Sequence, residues 1–125
     1  MAEKTVLLVD DEAGLTAVLA KRLSSRGLTV KTAASGQECL RLVRDEPAIA
    51  VVVIDINMPG MDGLETLREL KKLHPEVEAL VLTGYPSPEA ALESMRLGAY
   101  ELLAKPIALE TLHSRVMEAL SRSSK

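Results

Sequence analysis

Ile49-Ala50-Val51-Val52-Val53-Ile54 is an apolar run with no polar interruption, β-branched everywhere except Ala50 and too short for a helix of ordinary length. Such a segment has no face to offer to water, so it predicts a central strand of a parallel sheet covered on both sides. Four further apolar runs flank it: Thr5 to Val9, Leu28 to Ala33, Val77 to Leu82 and Tyr100 to Ala104. Between them lie amphipathic stretches with their own start and stop signals. Leu15, Val18, Leu19 and Leu23 recur at helical spacing before Gly27, a left-handed cap. Ser35 and Glu38 form a capping box for a helix through Leu40 and Val43 that Pro47 must end. Asp62 caps a helix carrying Leu64, Leu67 and Leu70 that ends by His74-Pro75, and Ser87-Pro88 opens another that stops at Gly98. Leu109, Leu112, Val116 and Leu120 mark the last helix.

Five strand-helix units predict an α/β, flavodoxin-like, doubly wound (βα)5 fold, a five-stranded parallel sheet in the order 2-1-3-4-5 with helices on both faces. The 125 residues suffice for one domain, expected over 1–121 with 122–125 as a frayed tail. A net charge of −3 and a pI near 5.4 argue against direct nucleic-acid binding by this chain, and 2% aromatic residues leave no base-stacking platform. No apolar run approaches a membrane span, none resembles a signal peptide, and the lone Cys39 has no internal disulfide partner, so a cytoplasmic setting is expected.

In such sheets ligands bind beyond the carboxyl ends of the strands. Asp10-Asp11 follow the first strand, Asp55 the third, Thr83 the fourth and Lys105 the fifth, all on one rim. Three carboxylates in one pocket repel unless a cation joins them, and an all-oxygen donor set suits Mg2+, which bridges readily to phosphate. Taken singly, Asp10-Asp11 reads as a strand end and helix cap, Lys105 as a solvated turn lysine and Thr83-Gly84 as turn chemistry. Asp55 after a wholly apolar strand is harder to dismiss, because a buried acid needs a partner or a purpose. Met58-Pro59-Gly60-Met61 reads as a structural turn, His74 and His113 as surface residues, and Cys39 as an inert packed thiol.

The segments Val9-Asp10-Asp11-Glu12, Asp55 through Gly63, Leu82-Thr83-Gly84 and Gly98-Ala99 followed by Lys105-Pro106 together resemble the receiver domain of two-component response regulators over essentially the whole chain. The resemblance implies that Asp55 accepts a phosphoryl group from a histidine kinase or a small acyl phosphate. It implies that Asp11, Asp55 and the backbone carbonyl of Asn57 hold Mg2+ with Asp10 assisting through water, that Lys105 and Thr83 contact the phosphoryl oxygens, and that Pro106 follows a cis peptide. Asn57 and Tyr85 fall where the family tunes phosphoryl lifetime. The implied partners are a sensor histidine kinase or phosphotransfer protein and an output domain or target engaged through the face of helix 4, strand 5 and helix 5, with phosphorylation-dependent homodimerisation left open. The implied molecule is a switch with self-catalysed phosphorylation and dephosphorylation rather than a conventional enzyme.

One position departs from the family. The aromatic partner of the threonine is replaced by Leu102, with Tyr100 two residues earlier, and strand alternation predicts both on one side, so Thr83, Tyr100 and Leu102 are the candidate switch residues. The substitution keeps a second reading open, a docking module that works without phosphorylation. An aspartyl-phosphate hydrolase of the haloacid-dehalogenase type is disfavoured by order, since its nucleophile follows the first strand. Dinucleotide binding is disfavoured by the absence of Gly-x-Gly-x-x-Gly after the first strand.

Overall fold

The computed structural model describes residues 4–57 and 62–124. Strands β1 (Thr5–Val9), β2 (Thr29–Ala33), β3 (Ile49–Asp55), β4 (Glu78–Thr83) and β5 (Glu101–Ala104) alternate with helices α1 (Ala13–Ser24), α2 (Gly36–Asp45), α3 (Gly63–Leu73), α4 (Pro88–Arg96) and α5 (Leu109–Arg122). All neighbouring strands run parallel, in the order β2-β1-β3-β4-β5. Every residue of β3 is buried, as its uninterrupted apolar character requires.

The predicted caps close the helices. Ser35, Asp62 and Ser87 each accept a backbone N–H three residues on, from Glu38, Glu65 and Ala90. Gly27 and Gly98 adopt φ of +91° and +101°, the left-handed turns that let the chain leave α1 and α4.

Two apolar layers sandwich the sheet. Leu7, Val9, Val52, Ile54 and Val81 pack with Cys39 and Val43 of α2 and Leu67 and Leu70 of α3. On the other face Val6, Leu8, Val51, Val53, Leu80 and Leu82 meet Leu23 of α1 and Leu112, Val116 and Ala119 of α5. The α1 face differs from the one predicted. Leu15 and Val18 are each 48% exposed, while Thr16 and Leu23 are buried and Leu19 and Ala20 pack against the layer. A helix resting on a sheet buries a stripe, and the 16-19-20-23 stripe leaves Leu15 and Val18 on its flank.

At the C-terminus, α5 includes Arg122, one residue into the segment expected to fray. Ser123 is also buried, and its hydroxyl donates to the Glu76 carbonyl at 3.2 Å. Among the described residues no helix is long and apolar enough to cross a membrane.

Candidate functional site

Sheet register assembles the rim. Val9 pairs with Ile54, so Asp10 leaves β1 level with Asp55 at the end of β3. Asp55 pairs with Leu82, which puts Thr83 one step beyond it on β4, and Thr83 pairs with Ala104, which delivers Lys105 beside them. Two main-chain bonds hold the loops just past the strands: Lys105 N–H donates to the Thr83 carbonyl at 2.8 Å and Ile56 N–H to the Leu82 carbonyl at 3.1 Å. The Lys105–Pro106 peptide is cis.

The three carboxylates meet. Asp10, Asp11 and Asp55 each present an oxygen within 4.8 Å of the others, Asp55 buried and Asp11 exposed. Lys105 Nζ lies 3.2 Å from Asp55 Oδ2 and 3.4 Å from Asp10 Oδ2, one ammonium shared between two acids. Partial burial, the strongest single influence on that ammonium, lowers its pKa, but the hydrogen bond to Asp55 and the charges of Asp10 and Asp55 together outweigh it, and the net shift is upward. Asp10 Oδ1 also accepts the Glu12 N–H at 3.0 Å, so the turn-capping role and the site role coexist in one side chain.

Asn57 links Asp55 to Thr83. Its backbone N–H donates to Asp55 Oδ1 at 2.9 Å, and Thr83 Oγ1 donates to its Oδ1 at 3.3 Å. Thr83 in turn accepts the Tyr85 N–H at 3.0 Å. Over these groups opens a cleft of about 370 Å3 lined by Asp11, Glu12, Asp55, Asn57, Gly84, Tyr85 and Lys105. An apolar cleft of about 330 Å3, walled by Leu15, Leu19, Leu82, Pro106 and Ile107, borders Asp10 and Lys105.

The donor set fits Mg2+. It consists of hard carboxylate oxygens, and a single ammonium among three acids leaves the pocket net negative. Asp10, Asp11, Asp55 and the Asn57 carbonyl would hold the ion.

Tyr100 and Leu102 do not share a side. Tyr100 precedes β5 and packs with the layer beneath α5, its hydroxyl donating to Glu118 Oε2 at 3.1 Å and its ring lying 5.7 Å from the Arg122 guanidinium carbon. Leu102 pairs with Val81 and packs on the opposite layer, the side on which Thr83 continues β4. Alternation fails here because the strand begins at Glu101, so the chain is not yet pleated at Tyr100. The segment Met58-Pro59-Gly60-Met61 lies outside the described residues.

Sequence reasoning missed the role of Gly63. A Cβ there would stand 2.4 Å from Ile56 Cα and 2.6 Å from the Asp55 carbonyl oxygen, so only glycine lets α3 start against the backbone that carries Asp55. A glycine directly after the capping Asp62 was the available signal.

The comparisons with known proteins identify the family and the fold. The family model described as the response regulator receiver domain matches residues 6–117. The chain is 35% identical over 118 residues to the transcriptional regulatory protein ZraR of Escherichia coli K12, covering 94% of this chain and 26% of that protein. It is 38% identical over 119 residues to the sensor kinase CckA of Brucella abortus, covering 94% of this chain and 13% of that protein. This chain thus spans about a quarter of the length of ZraR and less of CckA. Among solved structures, a CheY-like receiver domain protein from Methanospirillum hungatei superposes with a TM-score of 0.91 at 30% identity, over 98% of this chain and 97% of that one. The receiver domain of NtrX from Brucella abortus gives a TM-score of 0.85 at 34% identity, over 93% and 98%. With its fold and nearly its whole length accounted for, this chain belongs to the receiver domain family of two-component response regulators.

Proposed function

We propose that Asp55 is the phosphoacceptor, that phosphoryl transfer from a histidine kinase or phosphotransfer protein onto it depends on Mg2+, and that the product switches an output surface. One observation carries the reading: a buried carboxylate at the end of the central strand, with an ammonium at 3.2 Å and two further carboxylates within 4.8 Å. An Asp55 oxygen attacks phosphorus, the bond from phosphorus to the donor nitrogen or oxygen breaks, and the donor leaves with that electron pair. A carboxylate is a weak nucleophile, so the rate comes from in-line placement and from neutralised charge on the transferring group. Lys105 supplies a positive charge already within reach of Asp55, and β3 fixes the attacking oxygen. Mg2+, when bound, withdraws charge from the phosphoryl oxygens and offsets the three acids. The apolar cleft beside Asp10 and Lys105, with Leu15 and Val18 exposed on α1, suits a protein donor that covers the site during transfer.

The output reading rests on α4 and α5, which expose Leu92 and Met95, and Met117, at 61%, 51% and 47%. A cytoplasmic setting accords with this role.

Intact mass after incubation with Mg2+ and a small acyl phosphate tests the proposal on wild type and Asp55→Asn. One added phosphoryl group in wild type, absent in the variant and without Mg2+, is the expected result. No added mass in a folded, Mg2+-binding wild type, sampled within seconds, would reject it in favour of a docking module.

A further inference from the structure

Thr83 is 1% exposed, and its hydroxyl has two partners: it donates to Asn57 Oδ1 and accepts the Tyr85 N–H. The neighbours that could otherwise govern it do not. Leu102, on the same side of the sheet, has no polar atom, and the Tyr100 hydroxyl is committed to Glu118 on the far side. Among the described residues Asn57 alone hydrogen-bonds both the Asp55 carboxylate, through its main-chain N–H, and the Thr83 hydroxyl, through its side chain.

A hydroxyl has one proton to donate. Thr83 can give it to Asn57 or to a phosphoryl oxygen on Asp55, never to both. Reaching a phosphoryl oxygen by rotation about the Thr83 Cα–Cβ bond moves Oγ1 itself and so withdraws the acceptor from the Tyr85 N–H, which passes the change into the segment that leads to α4. We infer that the Asn57 side chain is a positioning residue that latches Thr83 in the unphosphorylated protein, and that phosphorylation acts by competing with this latch. The competition rests on the phosphoacceptor reading above; the latch does not.

Loss of one neutral hydrogen bond with a solvent-facing acceptor shifts such an equilibrium roughly two- to tenfold. The Tyr85 amide reports it directly. Amide exchange is followed by NMR without Mg2+ or donor in wild type, Asn57→Ala and Asn57→Asp, each with and without Thr83→Ala, with global stability measured on the same samples. Asn57→Ala is expected to speed Tyr85 exchange by roughly two- to tenfold, and Asn57→Asp, which restores an acceptor oxygen, to bring it back. With Thr83→Ala the amide exchanges fast whatever stands at position 57. Equal Tyr85 exchange in wild type and Asn57→Ala, or an Asn57→Ala effect that persists without the Thr83 hydroxyl, overturns the latch. Adding acyl phosphate and Mg2+ to wild type then tests the competition: Tyr85 exchange should rise in step with the phosphorylated mass. Phosphorylation with no change at Tyr85 overturns the competition, whereas absence of phosphorylation counts against the phosphoacceptor reading and leaves the resting-state comparison decisive for the latch.

Discussion

Asp55→Asn should stabilise the metal-free protein, and the structure sets the size of the gain. Asp55 faces Asp10 and Asp11 at up to 4.8 Å, and each such pair costs about 3.5 kcal/mol at an effective dielectric of ~20, together about 7 kcal/mol. Lys105 at 3.2 Å returns about 5 kcal/mol on the same scale. The balance favours removing the charge by about 2 kcal/mol, and the exposure of Asp11 lowers this to ~1 to 2 kcal/mol. Asparagine keeps one oxygen, which can still accept the Asn57 N–H, while its amide nitrogen takes the Oδ2 position that faces Lys105, a contact whose loss the balance already counts. For a domain of this size the melting temperature should rise by roughly 3 to 10 °C in low-salt buffer with chelator, and less at high salt. Scanning calorimetry of the two proteins decides the matter. A variant that melts at or below the wild-type temperature would show that Lys105 already neutralises the pocket and that repulsion among the acids is not its governing energy.

Mg2+ binding to the folded site only would, at ten times its dissociation constant, stabilise wild type by about 1.4 kcal/mol, with a smaller gain in Asp11→Asn; a metal-independent melting temperature up to tens of millimolar contradicts the donor set. The Lys105 pKa is raised in the fold, so its stabilising contribution is full below the ordinary lysine value of 10.5 and is lost as pH climbs through the higher folded value. The stability difference between wild type and Lys105→Met in urea titrations should therefore hold from pH 7 to about 10 and shrink above it; a gap that closes near neutrality refutes the assignment. Burial pushes the Cys39 thiol up to about 12, so alkylation at pH 8 should proceed only as fast as the protein opens, and rapid labelling of the native state would contradict its packing. Ser94 is fully buried on α4 with no partner for its hydroxyl among the described residues, so Ser94→Ala should stabilise by ~1 kcal/mol in denaturant melts, and a loss of stability would point to a hydrogen bond there.

Much of the fold was legible because its signals are local. Three side-chain caps, two positive-φ glycines and the wholly buried β3 were each written in a few consecutive residues, and a five-stranded parallel sheet with four crossovers has few ways to be threaded. The rim followed from the same logic, because Asp55 and Thr83 end their strands, Asp10, Asp11 and Lys105 stand just past theirs, and register brings them to one edge. Which α1 residues face the sheet was less legible. Leu15, Val18, Leu19 and Leu23 are all apolar, and helix rotation, set by what α1 meets on the sheet, decides which of them stay outside. The Gly63 contact was hidden because it joins a helix start to a strand end across space.

The side taken by Tyr100 exposes the limit of reading alternation from sequence. Period-two reasoning holds only inside a strand, and moving the start of β5 from Tyr100 to Glu101 leaves Tyr100 free to turn toward α5, where Glu118 and Arg122 offer its hydroxyl and ring better partners than the sheet does. Thr83 is thereby separated from the aromatic ring by the sheet itself. For the proposed switch, the chain Lys105, Asp55, Asn57, Thr83, Tyr85 offers a continuous hydrogen-bonded route over the rim from Asp55 toward α4. Tyr100→Phe consequently should lose the exposed Glu118 bond yet leave Tyr85 amide exchange at its wild-type rate, whereas Asn57→Ala should speed that exchange. If Tyr100→Phe instead altered exchange at Tyr85, the two faces of the sheet would be coupled through its core, and the polar route over the rim would not be the path the switch uses.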